Sequence, residues 1–194
     1  MTTAFVFGLL FVLLSISVFF DAPFVMAMDA RVDNWFASLR TPRWAAFFSA
    51  ISFFGGVYGI GLIGAVTVLL TAWNEEVIEL GVTAVGGSAL VAQLVKVFTA
   101  RTRPDPLAGR TQEVEYSYPS GHTTAALTLY GMLALLLVPF ATGVSAVFIT
   151  VYVLLIIAIS VSRIALSVHH ASDVIGGYLL GASFLALAFS LFGL

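Results

Sequence analysis

The chain has 194 residues, 60% of them hydrophobic and 9% charged, with a formal net charge of −2. Roughly a quarter of residues are charged in soluble globular proteins, so that class is excluded and an integral membrane protein is indicated. Eight basic residues are too few for a groove that tracks phosphates, which argues against a nucleic-acid partner, and the absence of cysteine excludes disulfides, thiolate metal sites and thiol catalysis.

A helix needs roughly 20 apolar residues to cross about 30 Å of hydrocarbon. Such runs lie at about 3–21, 51–73, 77–99, 122–141, 144–162 and 171–193. The first reads as a retained transmembrane helix and not a signal peptide, because no basic side chain precedes it and it exceeds a typical signal core. Asp21-Ala22-Pro23 breaks that run, and 28–44 follows as an amphipathic segment. There Asp29, Arg31, Asp33, Arg40 and Arg43 alternate with Trp35, Phe36, Leu39 and Trp44, a mixture suited to the headgroup region. The segment is expected to be an interfacial helix or loop, and in a sharper reading a lid over a lipid site. Phe53-Phe54-Gly55-Gly56 marks a kink or helix boundary, and Trp73-Asn74-Glu75-Glu76 a short polar turn. Pro104 predicts that the third long helix stops by about Thr102, before a polar loop over 104–120. Pro139 to Gly143 forms an uncharged turn. The expected fold is all-α: one domain over 1–194, six transmembrane helices in a single bundle, with an interfacial segment after the first.

Six crossings bring Lys96–Arg103, the 104–121 loop and Arg163–Asp173 to one membrane face. Lys96 and Arg103 are seven positions apart, about two helical turns, and offer donors suited to phosphate oxygens. Taken alone, they read as cations snorkelling to headgroups. Pro119-Ser120-Gly121-His122 opens the fourth apolar run, where a helix N-terminus favours anions; Ser120 is a hydroxyl donor or simply a helix cap. Ser162-Arg163 precedes His169, and Asp173 follows four residues later, a spacing that shares one helical face. A carboxylate on one ring nitrogen leaves the other basic and aimed, which suits a nucleophile. A metal held by His122, His169, His170 and Asp173 is the chemical rival, disfavoured by the like charge of the surrounding cations. A serine nucleophile at Ser120 lacks the Gly-x-Ser-x-Gly elbow.

Together these segments resemble the type 2 phosphatidic acid phosphatase family, whose members include lipid phosphate phosphatases and share a helical core with vanadium haloperoxidases. Lys96, Arg103 and Pro104 meet its Lys-x6-Arg-Pro pattern. Pro119 to His122 meet Pro-Ser-Gly-His, and Ser162, Arg163, His169 and Asp173 meet the third motif, so the resemblance spans about 96–173. The resemblance implies His169 as nucleophile, His122 as general acid and base, and Asp173 as the partner of His169. It implies Lys96, Arg103, Ser120, Gly121 and Arg163 as phosphate-binding groups, with no metal or other cofactor. His170 and Arg101 fall outside the pattern and are given no catalytic role. The expected substrate is a lipid phosphate in the bilayer: phosphatidic acid, phosphatidylglycerol phosphate or an isoprenyl (undecaprenyl) pyrophosphate. The alternatives are a lipid phosphotransferase of the same family and an anion transporter. All eight basic residues fall on the site's face, which by the positive-inside rule is cytoplasmic, whereas the family resemblance implies an extracytoplasmic site in a bacterial plasma membrane.

Overall fold

Asp21 and Ala22 end the first apolar run because the backbone turns there: Asp21 has φ 48° and Pro23 starts a new helix. The structure, a computed structural model, describes residues 1–37, 41–104, 116–140 and 142–193. Among the described residues are nine α-helices and no strand: α1 (Thr2–Phe19), α2 (Pro23–Ala37), α3 (Pro42–Phe53), α4 (Val57–Leu70), α5 (Glu75–Gly81), α6 (Gly87–Thr99), α7 (Gly121–Leu137), α8 (Gly143–Ala165) and α9 (Ala171–Leu191). Six stretches are long and apolar enough to cross a membrane: Thr2–Phe19, Pro42–Leu70, Glu75–Thr99, Gly121–Phe140, Gly143–Ala165 and Ala171–Leu191. The protein is an all-α integral membrane protein. Most of the expected 104–120 loop, together with Leu39, Arg40 and Arg110, lies outside the described residues.

Several boundaries differ from the sequence expectation for local reasons. The second span begins at Pro42 and not near residue 51, because Thr41 caps α3 by accepting the Trp44 N–H at 3.4 Å and Pro42 takes the first helical position. Arg43 and Trp44 of the amphipathic segment thus belong to the start of a span. That span breaks at 54–56, where the paired glycines predicted it, and Tyr130 of α7 donates its hydroxyl to the Phe54 carbonyl freed at the break (2.8 Å). The third span is interrupted by a π turn over Val82–Gly86, between α5 and α6. α6 then ends at Thr99, within the limit of about Thr102 that Pro104 set. Ala100 takes a left-handed conformation (φ 46°) and closes the helix by donating its N–H to the Lys96 carbonyl.

α7 is the centre of the bundle, packed against α8, α9, α6 and α4. Its buried face carries the small or hydroxylated residues Thr123, Thr124, Ala126, Thr128 and Gly131 beside Leu129 and Met132. In a bilayer such residues let helices approach closely, since hydrocarbon contact alone does not drive helices together. Thr124 and Thr128 return their hydroxyls to the carbonyls of Ser120 and Thr124, so the hydroxyl face carries no unmet donors. α9 answers with Gly177, where a Cβ would lie 2.8 Å from the Ser120 carbonyl oxygen. α1 packs along α9, and α3 along α8.

Residues 96–104, 116–122 and 163–173 meet at one end, as the count of crossings implied. Ser117 N–H donates to the Arg101 carbonyl (2.9 Å), Ser120 N–H to the Asp173 carbonyl (3.0 Å), and Arg103 Nη1 to the Val168 carbonyl (2.9 Å). α2 lies beside this end, against α8 and α9, with Met28, Val32 and Phe36 packed on Ile164, Ala165, Ala171 and Val174.

Candidate active site

Each of the three segments contributes to the wall of one cavity of about 400 Å³: Lys96 and Arg103 from the first, Gly121 and His122 from the second, Arg163 and His169 from the third. Lys96 sits in the last turn of α6 and donates Nζ to the Tyr116 carbonyl (3.1 Å). Arg103 lies beyond the end of α6. The two cations therefore share the cavity because the chain turns at Ala100, not because two helical turns align them. Arg163 closes α8 from within, only 4% exposed, and donates Nη1 to the Ser52 hydroxyl at 2.6 Å.

His169 and Asp173 also meet by a different route from the one their spacing suggested. His169 precedes α9, whose N-cap is His170, and Asp173 is the third residue of that helix. Asp173 Oδ2 accepts the His170 N–H at 2.8 Å, a capping contact that folds the carboxylate back towards the preceding loop. His169 Nδ1 then stands 3.4 Å from Asp173 Oδ2. That separation is long for a hydrogen bond, and Asp173 acts on the ring through both this contact and its charge. His169 Nε2 stands 3.5 Å from Arg103 Nη1. Burial pushes the His169 pKa down to about 4; Asp173 opposes this, while Arg163 and Arg103 add to it. The imidazole is consequently neutral at neutral pH, the state a nitrogen nucleophile requires.

His122 occupies the first turn of α7 against the α3–α4 break. A Cβ on Gly56 would lie 3.3 Å from its Nε2, so the glycine leaves the room that the ring fills. Beyond the Gly121 Cα there is open space, which leaves the N-terminus of α7 approachable by an anion. Ser120 differs from the expectation. Its side chain is fully buried and is not part of the cavity wall; its oxygen accepts from Thr123 N–H (3.5 Å) and Thr123 Oγ1 (3.1 Å), which is the cap role. Both of those bonds use the oxygen as acceptor. The four side chains of the rival metal set do not converge: the His170 ring turns to Asp33 (2.8 Å) and Asp173 Oδ1 to Arg101 (2.6 Å). Among the described residues no group of three His, Asp or Glu side chains could hold a metal ion.

The family model described as the PAP2 superfamily matches residues 77–193, more than half of the chain and all three segments. The chain belongs to the PAP2 superfamily. Within it, the chain is 32% identical over 99 residues to phosphatidylglycerophosphatase B of Bacillus subtilis (strain 168), and the matched region spans about half of each protein: 50% of this chain and 48% of that relative. The fold also resembles the crystal structure of a transmembrane PAP2 type phosphatidylglycerolphosphate phosphatase from Bacillus subtilis. There the TM-score is 0.81 at 24% identity, covering 98% of this chain and 96% of the other. LpxE of Aquifex aeolicus matches with a TM-score of 0.64 at 20% identity, over 83% and 94% of the two chains. At these identities both likenesses concern the fold.

This PAP2 member also holds polar residues near the site that sequence reading gave no role. Arg101 donates to Asp173 and Ser172 through Nη1 and to Asp29 through Nη2, each at 2.6 Å. Asp29 was visible only as one charge in an amphipathic segment, and Arg101 as a cation two residues before a motif arginine. Neither position announces burial, which is what makes them notable.

Proposed function

We propose that the chain is a membrane phosphatase that hydrolyses the phosphate monoester or pyrophosphate of a lipid through a phosphohistidine intermediate. The observation that carries this reading is the convergence of two imidazoles, His122 and His169, with Lys96, Arg103 and Arg163 on one cavity. Three fixed cations suit the oxygens of a phosphoryl group. The same cavity continues along Val57, Ile60, Val85 and Ala89, a small or apolar wall between α4 and α6 that suits a lipid tail.

In the first step the Nε2 lone pair of His169 attacks phosphorus. The P–N bond forms as the P–O bond to the lipid breaks, and His122 gives its proton to the leaving oxygen. In the second step water attacks phosphorus, His122 takes the water's proton, and the P–N bond breaks to release inorganic phosphate. Asp173 stabilises the positive charge that develops on the His169 ring. Lys96, Arg103, Arg163 and the Gly121 N–H hold the oxygens as charge shifts onto them, and no metal is needed for that role. Because the relative found by sequence is a phosphatidylglycerophosphatase, phosphatidylglycerophosphate is the first candidate substrate, followed by phosphatidic acid and isoprenyl pyrophosphates. The reading includes an extracytoplasmic site in a bacterial plasma membrane.

The test is phosphate release by the purified chain in detergent across those lipids, with and without EDTA. His169→Ala is expected to lower the rate on the order of 10³-fold or more, with EDTA leaving the wild type unaffected. A fully active His169→Ala protein refutes the nucleophile assignment, and activity abolished by EDTA and restored by metal revives the metal rival. Phosphate passed only to an added alcohol identifies a phosphotransferase; uptake into vesicles without hydrolysis identifies a transporter.

A further inference from the structure

Behind the cavity wall lies a row of alternating charge. Asp29 of α2, Arg101 after α6 and Asp173 of α9 are joined by two ion pairs of 2.6 Å, with side-chain exposures of 3%, 8% and 0%. His169 continues the row at 3.4 Å from Asp173. Ser172 ties it together: its N–H donates to Asp29 Oδ1 (2.8 Å), its hydroxyl donates to Asp29 Oδ2 (2.6 Å), and Arg101 donates to the same hydroxyl. Neither Arg101 nor Asp29 is part of the cavity wall. Buried charges of this kind are costly to desolvate, and packing α2 against the bundle would be served as well by apolar side chains.

We propose that Arg101 and Asp29 are positioning residues for the hydrolysis: the Arg101 fork, held by Asp29 and Ser172, occupies Asp173 Oδ1, leaving Oδ2 to face His169. The inference rests on the assignment of His169 as the nucleophile. The geometry supports it, because Arg101 reaches Asp29 and Asp173 with separate nitrogens, a two-handed contact that a lysine cannot copy. It also makes α2 a brace on the loop before α9 and not a lid: four residues after Asp29 on the same helix, Asp33 holds the His170 ring at 2.8 Å.

The row has an electrostatic consequence with a sign. Arg101 draws on the charge of Asp173, and Asp29 draws on that of Arg101, so the field at His169 is set by the balance. The other groups acting on the ring are Arg163 from α8, Arg103 from the segment after α6 and His122 from α7. Lys96 of α6 shares the cavity, and the neighbouring His170 is turned to Asp33. None of these changes when the far end of the row is altered. Removing the Arg101 charge leaves Asp173 more negative and favours the imidazolium. Removing the Asp29 charge leaves Arg101 to Asp173 alone and disfavours it.

The experiment is kcat/KM against pH for the purified full chain in detergent, on whichever lipid of the panel (phosphatidylglycerophosphate, phosphatidic acid, undecaprenyl pyrophosphate) the wild type hydrolyses fastest. The acid limb reports protonation of the free-enzyme nucleophile. Arg101→Gln is expected to move that limb up and Asp29→Asn to move it down, each by about half a pH unit or more, with KM changed less than about twofold. A general loosening of the loop gives shifts of one sign or none, and either result overturns the inference while the phosphatase reading stands. Arg101→Lys keeps the charge and loses the fork; it is expected to leave the limb in position and lower kcat roughly tenfold. Should Arg101→Gln fail to fold, the downward shift in Asp29→Asn decides, and its absence overturns the inference. A wild-type chain that releases phosphate from none of these lipids overturns the phosphatase reading itself, and the inference falls with it.

Discussion

Gly56 has no side chain, yet its position bears directly on the candidate site. It read as half of a helix-breaking pair, and it does cap α4, but it also faces His122 Nε2 at a distance where a methyl group would press on the ring (3.3 Å). Gly56→Ala is therefore expected to lower kcat about 3–10-fold by displacing the ring a few tenths of an ångström, as small misalignments at reacting groups do. Steady-state phosphate release measures it; an unchanged kcat would show that His122 has slack or does not transfer the proton. Lys96 and Arg103, and His169 and Asp173, teach a related lesson. Both pairs were expected to meet through helical spacing, and both meet through a cap instead: the left-handed Ala100 in one case, the His170–Asp173 capping contact in the other. The residue types were legible because cations, imidazoles and a carboxylate are costly near hydrocarbon and stand out against it. How they are brought together was not, because a backbone reversal at an alanine has no sequence signal.

At the scale of the helices, the site depends on how closely α7 and α9 approach. Gly177 lies where a Cβ would come within 2.8 Å of the Ser120 carbonyl and 2.9 Å of the Thr123 Cβ, and neither of those atoms belongs to a flexible side-chain end. Gly177→Ala is expected to force the helices apart and to cost about 1–3 kcal/mol, read as a lower midpoint of thermal unfolding in detergent. Unaltered stability would mean that the crossing tolerates a wider spacing. The two helices carry Ser120–His122 and Asp173 at their N-termini, so the same substitution is expected to reduce activity as well. α2 was the element least legible from its own sequence. Its alternating charges and tryptophan suggested a headgroup-level surface helix, and only its docking on α8 and α9 shows that Asp29 is 2% exposed and engaged with Ser172 and Arg101.

The whole molecule poses the question of orientation. Among the described basic residues, Arg31, Arg43, Lys96, Arg101, Arg103 and Arg163 belong to segments at the site's end of the bundle, and Glu75 and Glu76 lie at the other. Basic residues favour the cytoplasm, but a site that binds phosphate collects cations on either side of a membrane, so the bias is weaker than the count suggests. Because the chain has no cysteine, single substitutions give clean labels. With the site outside, Arg43→Cys is expected to react with an impermeant maleimide in intact cells and Glu76→Cys only after lysis. The reverse pattern places the cavity in the cytoplasm.

The sequence by itself determined the class, the number of crossings, the end of the bundle at which the three motifs gather, and the residue types that line the cavity there. These follow from local rules: apolar runs of sufficient length must be helices in hydrocarbon, an even or odd number of crossings assigns each connection to a side, and costly polar groups mark themselves. The tertiary structure decided which polar groups face the cavity and which stand behind it. It sent Ser120 to a cap, turned His170 away to Asp33, and enclosed Arg101 between Asp29 and Asp173. Those outcomes depend on contacts between residues up to 143 positions apart, as between Asp29 and Ser172, and on glycine-sized clearances between helices. A pattern along the chain records periodicity; it does not record what lies across a helix crossing.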